Sequence, residues 1–92
     1  MGAATTENVT PIRAGLGGNE KGELFIRIPQ TAKAAMNDKL KVLGVTGILD
    51  TWLYEVGAPT LRETTTISAT SNEITLTSAN TGHVRGFVWA KL

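Results

Sequence analysis

His83 is the single histidine of this 92-residue chain and the first place to look for proton transfer near neutral pH. It stands in "TGHV", just after a turn-like segment, where a lone histidine is ordinarily a solvated surface group. The carboxylates Asp38, Asp50, Glu55, Glu63 and Glu73 are the other candidates. No two of them have the spacing of a glycosidase pair or of an oxygen-ligand loop for a divalent cation. With one histidine and no cysteine there is no ligand set for zinc and no thiolate nucleophile. The run "AGLGG" at residues 14–18 has the glycine content of a phosphate loop but lacks the preceding strand and the Gly-Lys-Ser/Thr ending, so it reads as flexible backbone. These residues point to a protein that is not an enzyme and needs no metal or cofactor.

The chain has room for one modest core, with 41% hydrophobic residues and a net charge of +1. Its nine Lys and Arg are scattered from Arg13 to Lys91, a poor footprint for a polyanion binder. The longest largely apolar run, Val42 to Leu49, is far shorter than the ~20 residues of a spanning helix, and no membrane partner is expected. Gly2 and Thr6 fit the loose myristoylation pattern, but no polybasic second anchor follows them.

The elements that must position any site are read from periodicity. Residues 1–22 hold five of the ten glycines and no sustained period, which predicts an extended arm with Ile12 and Leu16 as apolar anchors and Arg13 as a cation between them. Residues 23–92 are then one small domain. Leu24, Ile26 and Ile28 alternate with Glu23, Phe25 and Arg27 as in a half-buried strand. After Pro29, the spacing of Ala32, Ala35, Met36, Leu40 and Leu43 predicts a helix ending at Gly44. Thr46 can cap a second helix carrying Ile48, Leu49, Trp52, Leu53 and Val56, although "TWLYEV" also has the composition of a strand. The Thr/Ser-rich remainder alternates at Ile67 and Ala69, at Ile74 and Leu76, and at Val84, Val88 and Ala90. With "TSNE" and "ANTG" as turns, that predicts an antiparallel β-meander near the strand at 23–28. The expected class is α+β: an arm, one strand, two short helices, then the meander.

Phe87 and Trp89 alternate with Val84, Val88 and Ala90, so the last strand is apolar on both sides. That calls for a central strand or for a covering subunit, and in so short a chain the subunit is favoured. Ile12, Arg13, Leu16, Phe87 and Trp89 are therefore the candidate partner-binding residues.

Two resemblances bear on function. Arg27, Ile28 and Pro29, then Ala32, Met36, Leu40, Leu43 and Gly44, then Thr46, resemble the strand, first helix and capped second helix of the ribbon-helix-helix family. That likeness implies a dimeric DNA-binding repressor contacting DNA through Phe25, Arg27 and Thr46. In composition and layout the whole chain resembles the decoration or cement proteins of tailed-phage capsids. This second likeness implies an oligomeric virion protein bound to a major capsid protein or another virion protein. Its place would be the capsid exterior, after a period in the host cytoplasm, and it is the preferred expectation.

Overall fold

The computed structural model describes residues 4–12, 22–32, 34–78 and 82–92. Eight strands run in chain order: β1 Thr6–Val9, β2 Glu23–Ile28, β3 Lys39–Val42, β4 Gly47–Glu55, β5 Ala58–Arg62, β6 Thr65–Thr66, β7 Glu73–Leu76 and β8 Val84–Lys91. They form two four-stranded sheets, β1-β3-β7-β6 and β2-β8-β4-β5. In the first sheet β1 runs parallel to β3, and every pairing in the second is antiparallel. There is no helix among the described residues, so the chain is all-β and the expected α+β class is corrected.

Each error has a physical cause. At residues 30–44 the positions of the supposed helix face do not share a buried side: Ala32, Ala35, Met36 and Leu43 are exposed and Leu40 alone is buried, while Ala34 and Val42, off that face, are buried. Lys39 and Lys41 alternate with Leu40 and Val42, so "KLKV" is a four-residue strand too short to outvote the longer periodicity around it. Asn37, at φ 76°, turns the chain into that strand, and the Asp38 carboxylate caps the turn by accepting from the Ala35 amide at 2.8 Å. At residues 47–56 the cause is a bulge. The register with β8 shifts between Ile48 and Asp50, so Leu49 is an extra residue and the buried set becomes Ile48, Thr51 and Leu53. An interrupted alternation of this kind imitates helical spacing.

The C-terminal meander is also corrected. β6 and β7 pair in the first sheet, whereas β8 leaves them and lies between β2 and β4 in the second. Part of the expected arm belongs to the core sheet: Val9 is buried on β1, the Lys39 amide donates to the Thr5 carbonyl at 2.8 Å, and the Leu43 amide donates to the Val9 carbonyl at 2.9 Å.

One core joins the sheets. Val9, Leu40, Val42, Ile74 and Leu76 from the first pack with Ile26, Ile28, Ile48, Leu53, Val84, Val88 and Ala90 from the second. Apolar area removed from water is the main favourable term, at about 25 cal/mol per Å². Cross-sheet ties are the Thr51–Thr65 hydroxyl pair at 2.7 Å and the Ile48 amide donating to the Ser68 carbonyl at 2.8 Å. Gly47 makes that approach possible, because a Cβ there would overlap the Ala69 carbonyl.

Candidate functional site

The two outer faces differ in kind. Thr6, Asn8, Lys39, Lys41, Glu73 and Thr75 give the first sheet an outward row set that is polar throughout. On the second sheet, alternation puts residues 84, 86, 88 and 90 of β8 inward and Arg85, Phe87 and Trp89 outward. The β2 register sets Phe25 beside Trp89 and Arg27 beside Phe87. The β4 register sets Asp50 beside Trp89, Trp52 beside Phe87 and Tyr54 beside Arg85, with Arg62 of β5 next to Tyr54. All five aromatic residues of the chain thus share one outward face with three arginines. Trp52 is 57% exposed and Phe25 36%, while Tyr54, Phe87 and Trp89 are half-buried.

The side chains form a connected layer. Phe25 and Phe87 stack with centroids 5.3 Å apart, and Phe25 meets Trp89 at a tilt at 5.8 Å. Arg62 lies over the Trp52 ring at 4.8 Å, pairs with Asp50 at 3.2 Å and donates to the Thr51 carbonyl. Arg85 lies over the Tyr54 ring at 5.5 Å and donates its Nε–H to the Tyr54 hydroxyl at 2.7 Å. Such contacts stiffen cation and ring together. Arg27 is different: among the described residues no side chain or carbonyl engages its guanidinium.

Two concavities mark this face. A notch of about 290 Å³ is lined by Arg27, Ile28, Tyr54, Arg85, Gly86 and Phe87, with no carboxylate in its wall. A dimple of about 50 Å³ lies between Phe25, Trp52, Phe87 and Trp89, above Asp50 and Thr51. A larger cleft, about 360 Å³, lies between Asp50, Arg62, Glu63 and Thr65, and Arg62 pairs with Asp50 at its edge. Glu63 there is 4% exposed, and its Oε2 has no hydrogen-bond partner among the described residues.

Of the partner-binding residues expected from sequence, Phe87 and Trp89 are neighbours on this face. Ile12 joins them through an isolated antiparallel bridge to Arg27, with amide-to-carbonyl bonds of 2.9 and 3.1 Å. Arg13 and Leu16 lie outside the described residues. The residues of the DNA-binding alternative separate. Phe25 and Arg27 face outward together, but Thr46 caps no helix, its amide donating instead to the Lys91 carbonyl at 2.8 Å, and the strand-helix-helix order behind that resemblance is absent. Trp52 and Tyr54 were hidden by the helical reading of β4, and only the β4–β8 register brings them beside Phe87 and Arg85.

Of the titratable groups singled out from sequence, Asp50 and Glu63 line one cleft. His83 is exposed, with Nδ1 3.0 Å from the Thr31 carbonyl. Asp38 accepts from the Thr5 amide at 2.9 Å and from the Ala35 amide, and those two bonds hold its carboxyl below the ordinary value. Among the described residues no cluster of three acidic or imidazole side chains could hold a metal ion. No described helix is long and apolar enough to cross a membrane. A scan against protein-family models, a search of curated proteins and a search of solved structures each find no match.

Proposed function

We propose that this chain is a non-enzymatic structural protein of a virus particle, attached by protein–protein contact through the outer face of its second sheet. The observation that carries the reading is the gathering of Phe25, Trp52, Tyr54, Phe87 and Trp89 with Arg27, Arg62 and Arg85 on that face. A small protein gains nothing in its own stability by leaving a tryptophan 57% exposed. Trp, Tyr and Arg are also the residue types that dominate the energetics of protein interfaces. The virion context comes from composition and layout: a glycine-rich N-terminal segment, no cysteine, a charge near zero and a Thr/Ser-rich strand region. The partner is a major capsid protein or another virion protein, the role is reinforcement of the shell from outside by added buried interface, and association with further copies of the chain accompanies it.

The test is co-sedimentation of the purified chain with intact particles of the encoding virus. Saturable attachment is expected, with loss of at least tenfold in affinity for the Phe25→Ser/Trp52→Ser double variant while its cooperative unfolding is retained. Wild-type protein that stays in the supernatant at every concentration would overturn the reading.

A further inference from the structure

The notch and the dimple share the Phe87 side chain and together describe a specific occupant. Arg27 and Arg85 both line the notch, and no acidic residue lines it with them. Arg85 has its Nε committed to Tyr54 and its ring-facing side on the Tyr54 π-system, which leaves its terminal nitrogens as oriented donors. Arg27 stands opposite without a partner among the described residues. Gly86 contributes backbone to the lining of the notch. Paired guanidiniums match the planar fork of a carboxylate. The dimple, by contrast, is lined by four aromatic residues together with Thr51 and the Arg62-paired Asp50, and suits one small aliphatic side chain.

Their separation sets a spacing. The dimple lies between the Phe25–Trp89 and Phe87–Trp52 rows, and the notch between the Arg27–Phe87 and Arg85–Tyr54 rows. Successive outward rows of a sheet are two residues, or about 6.8 Å, apart. An extended segment running along the strands places its own residues i and i+2 on one side at that same distance.

We propose that this face is a docking groove for an extended, acidic segment of a partner protein: an aliphatic residue seats in the dimple, and a carboxylate two residues away seats between Arg27 and Arg85. The inference rests on the reading of this face as the partner surface and names the chemistry of that partner. A single-stranded nucleic acid is disfavoured because one face each of Phe25, Phe87, Trp52 and Tyr54 is already taken by another ring or by an arginine, which leaves a poor platform for bases. Four of the eight acidic residues that a second copy would bring are already engaged or buried, which makes it the weaker source of the carboxylate: Asp50 is paired with Arg62, Glu7 accepts the Ala32 amide at 3.0 Å, Asp38 accepts two amides, and Glu63 is buried.

The experiment is an NMR titration of the full chain with a capped peptide, Ac-Ser-Leu-Ser-Glu-Ser-NH2, observing the Arg27 and Arg85 Nε–H signals, the Gly86 amide and the Trp52 indole. Saturable shifts of all four are expected. Replacing Glu by Gln in the peptide, or moving it next to Leu so that the two point to opposite sides, should weaken binding at least tenfold. Arg27→Gln and Arg85→Gln in the protein should do the same, and Lys41→Gln on the other sheet should change nothing. Equal binding of the Gln peptide, indifference to Arg27→Gln, or absence of any saturable shift would overturn the proposal. So would a single-stranded oligothymidylate that moves the same signals at lower concentration than the peptide, which would move the site to nucleic acid. If Arg27→Gln leaves particle attachment intact while Phe25→Ser/Trp52→Ser abolishes it, the notch fails and the partner surface stands; if neither matters, both fail.

Discussion

Gly86 is the position where a single methyl group should do the most damage. Its φ of 151° lies in a region that side-chain-bearing residues rarely adopt. A Cβ built there would overlap the Trp52 carbonyl oxygen and stand 2.9 Å from the Leu53 Cα, and both obstacles are backbone of the neighbouring strand β4. The conformational term costs about 1–3 kcal/mol. Forcing β8 away from β4 costs about 1–3 kcal/mol more, because side-chain repacking cannot relieve a clash with backbone. A loss of about 4 kcal/mol is a large part of the roughly 5–14 kcal/mol expected for a domain of this size. It corresponds to a fall in Tm of about 15–30 °C. Thermal unfolding of Gly86→Ala followed by far-UV circular dichroism measures this. Gly57→Ala is the internal comparison, since nothing lies within 4 Å of its built Cβ and its φ is not in the positive region. That substitution should leave Tm unchanged or raise it slightly through the unfolded chain. A Gly86→Ala protein melting within about 5 °C of the wild type, the equivalent of roughly 1 kcal/mol, would refute the claim that β8 and β4 are held at this distance by a missing side chain.

Three further outcomes follow from the same contacts. Asp38 has a folded-state pKa below its ordinary 3.8, through the Thr5 and Ala35 amides, so its stabilisation is present above about pH 3.8 and disappears as pH falls through the folded value; Asp38→Asn should lower Tm at pH 7, and the difference should shrink as pH falls through that value. Glu63 is 4% exposed and its Oε2 has no hydrogen-bond partner among the described residues, so Glu63→Gln should raise Tm by a few degrees, and a fall would show that the carboxylate itself is needed there. Removal of residues 2–10 takes Val9 from the core and the Thr5 and Glu7 contacts from Asp38, Lys39 and Ala32, and should cost about 3 kcal/mol or more in chemical denaturation; unchanged stability would mean that β1 is dispensable to the sheet.

Strand β2 was legible because its six residues alternate without interruption and Pro29 ends the run. Val84, Val88 and Ala90 were legible as the inner side of the last strand for the same reason. The interior of the chain was not, and local signals explain why. The bulge at Leu49 converts an alternating strand into an imitation of helical spacing, and "KLKV" offers only two buried positions. The candidate site was legible in fragments. Two-sided apolarity of β8 marked Phe87 and Trp89, and Ile12 stood out in a polar arm, but nothing local ties them to Phe25, Trp52, Tyr54 or the three arginines. That constellation depends on which strands flank β8 and in what register, and register is set by non-local pairing.

The central claim is that the aromatic face of the second sheet is covered in the assembled state. Hydroxyl-radical footprinting of the free chain and of the chain bound to its particle reads this directly at Phe25, Trp52, Tyr54, Phe87 and Trp89. Strong protection of Trp52 and Phe25 on binding is predicted, with Met36, an exposed residue off that face, as reactive as before. Undiminished reactivity of Trp52 and Phe25 in the bound state would contradict the account.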